Sequence, residues 1–165
     1  MTRRDRATLW LVAFFVAAAM TVELYWLRHA FTLPNQSGWL AREFRFYGIG
    51  DRGYYDQVGW FEVGLESFHL CFTVPAYLWL AWTVVNRRVY RWLLQLCLGS
   101  YVAYSVVLYL TAKHVTSYAS MPSHDVGSFL VLVLPNLPWL LGNLWLALDA
   151  ARVIQRAVRA AEPAA

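Results

Sequence analysis

The chain has 165 residues, of which 59% are hydrophobic, 17% aromatic and only 15% charged. A soluble domain is about a quarter charged, so this composition argues against a soluble protein and favours one whose surface contacts lipid. The net charge is +4, but the basic residues lie at the ends of apolar runs, which argues against nucleic-acid binding. The two cysteines, Cys71 and Cys97, lie inside apolar runs without metal-ligand spacing, so we expect buried free thiols.

Four apolar segments are long enough to cross a bilayer, because about twenty helical residues span the ~30 Å hydrocarbon layer. Basic residues precede the first segment, as in a secretory signal peptide. The apolar stretch is nevertheless too long, and no small-residue cleavage site follows it, so we interpret it as the first span. The sequence therefore predicts an all-α, four-helix transmembrane bundle forming one domain over residues 1–165, with spans at about 9–31, 60–85, 92–112 and 126–151.

Lysine and arginine residues predict the orientation in the membrane, since they are enriched in cytoplasmic segments. Nine of the fourteen basic residues fall on the side that carries both termini, so we expect a multi-pass protein with both termini in the cytoplasm. The membrane would be the inner membrane in a bacterium or the endoplasmic reticulum in a eukaryote, and residues 162–165 carry no recognisable retention signal. Membrane lipid is an expected partner, and a homodimer is an arrangement that the sequence leaves open. The nine residues are Arg3, Arg4, Arg6, Arg87, Arg88, Arg91, Arg152, Arg156 and Arg159.

The connection over residues 32–59 is rich in glycine and in aromatic residues, which a plain solvated loop does not need. It predicts a short amphipathic helix at about residues 38–47 that lies at the membrane interface. A tight glycine-rich turn should follow. Asp51 in this turn is expected to accept backbone N–H hydrogen bonds, although a catalytic role for its carboxylate stays open.

Ionisable side chains inside membrane spans are costly, and they are therefore functional candidates. Glu23 lies about eight residues, or ~12 Å, from the far end of the first span, although a carboxylate reaching the interface is an alternative. The second span has four polar residues at i, i+4, i+7 and i+11 on one helical face, namely Glu62, Glu66, His69 and Thr73. Glu62 also fits a solvated carboxylate at the helix start, and His69 also fits a core histidine.

The fourth span places Asn136, Trp139 and Asn143 on one face, a pattern that also fits an interhelical hydrogen-bond clamp. Pro135 and Pro138 flank Asn136 and should bend the helix, which often accompanies a cavity.

Glu23, Glu66 and Asn136 lie at similar depths from the same side of the membrane, so we expect them to face a common pocket. Trp26 and Thr73 are further candidates for substrate contacts. The sequence shows no His-Glu-x-x-His motif, phosphate-binding loop or dinucleotide fingerprint, so we expect neither a metal nor a cofactor. The third span should close the pocket with Tyr101, Tyr104, Ser105 and Thr111.

Acid–base chemistry on an apolar substrate fits these groups. Burial favours the neutral form of a carboxyl group, so one glutamate can act as a general acid while a second glutamate or His69 removes a proton elsewhere. Trp139 can stabilise an intermediate carbocation by cation–π attraction. Such a site moves a carbon–carbon double bond without a cofactor. The same acidic, aromatic pocket also suits a hydrophobic amine, and composition does not separate the two interpretations.

Several segments carry a resemblance to a known family through their order and spacing. They are Glu23, the turn Tyr47-Gly48-Ile49-Gly50-Asp51-Arg52-Gly53-Tyr54, Glu66 with Pro75 nine residues later, Val107-Leu108-Tyr109-Leu110-Thr111, and Asn136-x-x-Trp139 followed by Leu148-Asp149-Ala150. Over about residues 20–151, the chain resembles the emopamil-binding protein family, the sterol Δ8–Δ7 isomerases within the EXPERA group. That group also contains the sigma-2 receptor.

The resemblance implies a four-helix bundle of the EXPERA type and a cofactor-independent isomerase acting on a sterol-like or terpenoid molecule. In this interpretation Glu23 and Glu66 are the acid–base carboxylates, Asn136 hydrogen-bonds in the pocket and Trp139 stabilises the cationic intermediate. A non-catalytic sterol-binding or amine-binding protein of the sigma-2 receptor type is the alternative. A structural or trafficking protein without a ligand is a third interpretation.

Two positions depart from the family's isomerases. Ala19 stands where they have a histidine one turn before the first carboxylate, and His69 stands where they have a threonine three residues after the second. Either an imidazole has moved across the pocket, with His69 joining the catalytic groups, or the isomerase mechanism is lost and another substrate is used.

Overall fold

The computed structural model describes residues 1–161, and the tail at residues 162–165 lies outside them. Within the described residues the protein is all-helical and has no strand, so the predicted fold class is confirmed. Within these residues, four helices are long and apolar enough to cross a membrane and a fifth α-helix is shorter, so this is an integral membrane protein. The helices are α1 (Arg3–His29), α2 (Trp39–Tyr47), α3 (Trp60–Val85), α4 (Arg91–Val115) and α5 (Val126–Ala161).

Helix α1 begins at Arg3 rather than at residue 9, because a capping interaction extends it beyond the apolar segment. The Thr2 hydroxyl accepts a hydrogen bond from the Asp5 N–H, and the Asp5 carboxylate accepts one from the Thr2 N–H. This reciprocal arrangement satisfies backbone donors that a helix start leaves free. Helix α5 likewise runs to Ala161 rather than ending near residue 151.

Helices α4 and α5 pack closely because Gly99 has no side chain to separate them. A methyl group at Gly99 would lie 2.6 Å from the carbonyl oxygen of Asn143 and 2.8 Å from the nitrogen of Ala147. The buried Gln95 amide adds a hydrogen bond of 3.0 Å to the carbonyl oxygen of Leu146. Small residues and polar bonds of this kind hold helices together in lipid, where the hydrophobic effect between helices is absent.

Helix α1 joins the bundle through an aromatic stack. The Phe15 ring lies between Tyr77 of α3, with ring centroids 5.3 Å apart, and Trp139 of α5, with centroids 4.7 Å apart. This stack belongs to a core cluster on the side of the termini, and a second cluster surrounds Trp26 and Tyr54 beside α2. Residue 23 of α1 lies between the two clusters, which places a carboxylate between two apolar cores.

Two ion pairs connect the helix ends on the side of the termini. Arg91 of α4 lies 2.8 Å from the Asp5 carboxylate of α1, and Arg4 of α1 lies 3.6 Å from the Asp149 carboxylate of α5. Both aspartates are buried. These pairs fix the ends of three helices relative to one another.

The two cysteines correct one expectation. Cys71 and Cys97 are free thiols, but both are exposed rather than buried. They lie on outward faces of α3 and α4, where the neighbour is lipid. An apolar run therefore did not indicate a buried position.

Replacing Gly99 with alanine should destabilise the bundle by about 1–3 kcal/mol, because the new methyl group overlaps backbone atoms of α5 that cannot move aside. The check is the melting temperature of the purified protein in detergent. Gly64→Ala is the matched control, since a methyl group there meets no atom within 4 Å. Equal melting temperatures for the two variants would contradict the close contact between α4 and α5.

Candidate functional site

Three of the spanning helices lose regular α-helical geometry at the level of the polar residues. Helix α1 contains a π-helical turn at Ala19–Glu23, α3 contains one at His69–Thr73, and α5 contains a 3-10 turn at Leu134–Asn136. π-helical turns frequently occur at functional sites. The sequence analysis did not predict the two π-helical turns.

Each π-helical turn has a local chemical cause. In α3, Pro75 follows the turn and has no N–H to donate to the carbonyl four residues before it. In α1, the Thr21 hydroxyl donates a hydrogen bond of 2.7 Å to the carbonyl oxygen of Ala17, an interaction that bends helices. Pro75 was a usable signal in the sequence, whereas a single threonine was not.

A carboxylate–histidine group forms where the two π-helical turns face each other. One ligand atom each from Glu23, Glu66 and His69 lies within 4.8 Å of the other two. The His69 Nδ1 atom is 2.8 Å from Glu23 Oε2. This contact does not have the geometry of a hydrogen bond. In the described part of the chain, Glu23 Oε2 and His69 Nε2 are buried without a hydrogen-bond partner, and both atoms are therefore free to meet a ligand.

The third member of the group, Glu66, is held by a residue of the connection between α1 and α3. The Tyr54 hydroxyl donates a hydrogen bond of 2.6 Å to Glu66 Oε1. Burial raises the pKa of Tyr54 well above its ordinary value, and the neighbouring Glu66 adds to the shift. The phenol therefore stays protonated and remains a donor. The sequence placed Tyr54 in a motif but gave it no role in the site.

An aromatic wall stands beside the charged groups. The indole of Trp139 lies edge to face with the His69 imidazole, with ring centroids 4.8 Å apart, and stacks on Phe15 from the other side. A ligand atom beside His69 therefore also meets the indole. Trp139 also lines both cavities, where an indole can attract a positive centre by a cation–π interaction.

The site opens into two connected cavities that share Glu23, Tyr54, Glu66, Asn136 and Trp139. The smaller, of about 70 Å³, extends toward α4. The larger, of about 490 Å³, lies between α1, α2 and α5, within the usual size range of small-molecule sites. Rim residues of the larger cavity are exposed, with values of 38% for Val22 and 53% for Leu134. This cavity therefore opens sideways between α1 and α5, toward lipid.

The two asparagines of α5 have different environments. Asn136 lines both cavities, and its amide donates hydrogen bonds to the Tyr47 hydroxyl at 3.1 Å and to the Leu132 carbonyl oxygen at 2.8 Å. Asn143 is fully buried and accepts a hydrogen bond of 2.6 Å from Tyr77. Asn143 is therefore an interhelical clamp, whereas Asn136 is available to the site.

Most of the predicted contact residues line the cavities, but on α4 only some of them do. Thr73 lines the smaller cavity and Trp26 the larger. Tyr101 and Ser105 also line the smaller cavity. The prediction that Tyr104 and Thr111 close the pocket is wrong, because both lie on the outward face of α4, where Tyr104 is 62% exposed.

A buried ion cluster lies beside the site, and the sequence analysis missed it. The Lys113 ammonium is 2.7 Å from Asp51 Oδ2 and also donates a hydrogen bond to the Glu62 carboxylate. All three side chains are buried. The interpretation of Glu62 as a solvated carboxylate at the helix start is therefore wrong. Asp51 does accept a backbone hydrogen bond, from the Gly53 N–H at 2.9 Å.

Hydrogen bonds connect the ion cluster to the cavity. The Tyr109 hydroxyl donates a hydrogen bond of 2.6 Å to Asp51 and lies 3.3 Å from the Tyr47 hydroxyl, which in turn accepts from Asn136. Burial raises the pKa of Tyr47 above its ordinary value, so this phenol stays protonated. The position of the Asn136 amide thus depends on a chain of contacts that begins at Lys113.

The same geometry is compatible with a metal ion. Glu23, Glu66 and His69 provide carboxylate and imidazole atoms at spacings that fit one cation, and these are ligands that Zn²⁺ accepts. The sequence predicts no metal. Removal of metal with a chelator therefore distinguishes a proton-handling group from a metal-binding group.

Four spanning helices around a largely apolar cavity of ligand size, with a few polar groups on its wall, define a polytopic membrane protein with an intramembrane cavity. A family model described as EXPERA (EXPanded EBP superfamily) matches residues 39–150. The chain therefore belongs to this family, and the resemblance seen in the sequence is confirmed. The match includes Asp51, Glu66, Asn136 and Trp139 but begins after Glu23. Among curated proteins, none matches this chain.

Replacing Lys113 with methionine should destabilise the protein by about 3–5 kcal/mol, because it leaves two buried carboxylates without their cation. Unfolding in detergent mixtures of increasing denaturing strength measures the change. A second substitution, Glu62→Gln, should recover part of the loss, since it removes one of the two uncompensated charges. Arg42→Met, at an exposed position, is the control, and an equal effect of Arg42→Met and Lys113→Met would contradict the ion cluster.

Proposed function

We propose that this protein is a membrane-embedded, cofactor-independent isomerase that shifts a carbon–carbon double bond in a sterol-like or terpenoid substrate. The observation that carries the proposal is the grouping of Glu23, Glu66 and His69 beside the Trp139 indole, at a cavity that opens toward lipid. Membership of a superfamily that includes isomerases and binding proteins is in accord with it.

The reaction needs one proton donor and one proton acceptor. A carboxylic acid transfers its proton to one alkene carbon, the π-electron pair forms the new C–H bond, and the other alkene carbon becomes a carbocation. A base then removes a proton from the next carbon, and the electron pair of that C–H bond forms the new double bond. Between turnovers the base releases its proton to water and the acid takes up a proton from water, so both groups return to their starting states and no oxidant, reductant or co-reactant is consumed.

We assign the acid to Glu66 and the base to Glu23. Two carboxyl groups this close do not both ionise readily, so they share a proton. His69 lies against Glu23, where a protonated imidazole favours a carboxylate, whereas Glu66 accepts a hydrogen bond from the neutral Tyr54 phenol. As part of this proposal we place the shared proton on Glu66. Trp139 stabilises the carbocation through the face of its indole.

His69 compensates for the departure at Ala19. Ala19 is fully buried in the π-helical turn of α1, so no imidazole is supplied from that helix. His69 approaches the same carboxylate, Glu23, from α3. This placement supports an imidazole that has moved across the pocket rather than one that has been lost.

We also propose that both termini lie in the cytoplasm. Four spans place the termini on the same side of the membrane, and nine of the fourteen basic residues lie on that side, as cytoplasmic segments prefer. Helix α2 and Glu43 then face the opposite side.

Glu66→Gln should lower turnover by about 10²–10⁴-fold, the contribution of a general acid, while the substrate still binds. The assay uses purified protein in nanodiscs with a Δ8-sterol in D2O, and mass-resolved chromatography detects a Δ7 product that carries one deuterium. Asp56→Asn is the matched control, because this exposed carboxylate pairs with Arg52 outside the cavities. Unchanged turnover in Glu66→Gln would remove Glu66 from the mechanism.

Turnover should persist after treatment with EDTA and without added metal. This expectation follows from the assignment of Glu23, Glu66 and His69 to proton transfer rather than to metal binding. Turnover that disappears with EDTA and returns with Zn²⁺ would refute the cofactor-independent mechanism and favour the metal-ligand geometry instead.

A non-catalytic binding protein is the second candidate function. The two carboxyl groups and the Trp139 face at one end of a 490 Å³ cavity also suit a hydrophobic ammonium ion. Saturable binding of a sterol or a hydrophobic amine, with no deuterated product from the Δ8-sterol, would establish this function or an isomerase of another substrate.

A further inference from the structure

The larger cavity is elongated along the membrane normal. Its wall runs from Ala18 to Trp26 on α1 and from Leu130 to Trp139 on α5, which corresponds to about 12–14 Å at ~1.5 Å per helical residue. Trp139 marks the end toward the termini, and helix α2 covers the opposite end. The cavity therefore fits an elongated molecule whose two ends meet different chemistry.

The end beneath α2 contains one carboxylate that the proposed reaction does not use. Glu43 lies on α2 and lines the cavity, next to the aromatic residues Phe44, Phe46 and Tyr47 of the same helix. Apart from Glu23 and Glu66, it is the only charged residue among the described residues that form the wall. A single acceptor thus stands at the otherwise apolar and aromatic end of the cavity.

The position of Glu43 is not explained by pairing with a neighbouring base. Within residues 1–161, its carboxylate takes part in no ion pair and no side-chain hydrogen bond. The adjacent bases Arg42 and Arg45 are exposed and do not line the cavity, and Arg45 instead donates a hydrogen bond to Tyr55. Glu43 is exposed, as the two arginines are, but unlike them it also lines the cavity.

We propose that Glu43 accepts a hydrogen bond from a hydroxyl group at one end of the substrate. The substrate is then an amphiphilic alcohol whose hydroxyl lies under α2 while its ring system extends toward Glu23, Glu66 and Trp139. Sterols and cyclic terpenoid alcohols have this arrangement of a terminal hydroxyl and an internal double bond. The inference rests on the proposed function for the class of substrate, and it adds the residue that selects and orients that substrate.

The test is equilibrium binding, so that it does not depend on turnover. The full chain in nanodiscs is titrated with a Δ8-sterol and with the 3-O-methyl ether of the same sterol, which cannot donate a hydrogen bond. The wild-type protein should bind the alcohol about tenfold more tightly than the ether, as expected for a hydrogen bond to a charged acceptor. Glu43→Ala should weaken binding of the alcohol by the same factor and leave binding of the ether unchanged.

Two further variants sharpen the assignment. Glu43→Gln keeps a neutral acceptor at the same position, so it should retain an intermediate preference for the alcohol. Arg42→Ala changes an exposed residue of the same helix outside the cavity and should leave the preference unchanged. Because both positions are exposed, correct folding is checked by the melting temperature.

The outcomes separate this inference from the proposed function. An equal preference for the alcohol in the wild-type protein and in Glu43→Ala would overturn the role of Glu43, as would equal binding of alcohol and ether by the wild type. Binding of neither probe would overturn both the inference and the sterol-like substrate. A preference that depends on Glu43, together with no deuterated product, would refute isomerisation of the Δ8-sterol and leave the role of Glu43 standing.

Discussion

The buried pairing of Lys113 with Asp51 and Glu62 is the constraint on which the arrangement of the site depends. Removing charges from water costs several kcal/mol per ion unless partners are close, so these residues must meet for the fold to form. They come from the connection between α1 and α3, from the first turn of α3 and from the end of α4. Their meeting fixes a glycine-rich segment that would otherwise move freely.

The consequences of this pairing reach the cavity through two short routes. Tyr54 follows Asp51 by three residues and is thereby brought to Glu66, its hydrogen-bond partner. Tyr109 connects Asp51 to Tyr47, whose hydroxyl accepts a hydrogen bond from Asn136. Two of the groups that face the ligand are thus held by a rigid outer layer of buried polar bonds. Preorganisation of this kind is what places catalytic groups accurately.

The sequence predicted those features that depend on one segment at a time. The length of the apolar runs determined the four helices, and helical periodicity placed Glu66 and His69 on one face. The sequence did not predict the partners of Lys113, because an ion pair between residues far apart in the chain leaves no local pattern. A basic residue at the end of an apolar run also resembles an ordinary interfacial anchor.

The errors on α4 have a different physical origin. In a soluble protein, a polar face distinguishes the outside of a helix from the inside. In a bilayer both faces are apolar, because lipid chains resemble buried side chains. Periodicity therefore could not distinguish Tyr101, which lines the smaller cavity, from the outward Tyr104, and it could not place Cys71 or Cys97. Glu23 was placed correctly because a carboxylate, unlike a tyrosine, is too costly to face lipid.

The same similarity between lipid and protein interior determines how this cavity can select a ligand. An apolar molecule that moves from the bilayer into the cavity exchanges one apolar environment for another, so it gains little from the hydrophobic effect. Phe15 and Trp139 close the cavity on the side of the termini, and the opening between α1 and α5 faces lipid. Selectivity must therefore come from the few polar groups on the wall. Glu43 under α2, Asn136 in the middle and the Glu23–Glu66 pair deeper inside are spaced to recognise an elongated molecule by its polar and reactive positions rather than by its apolar surface.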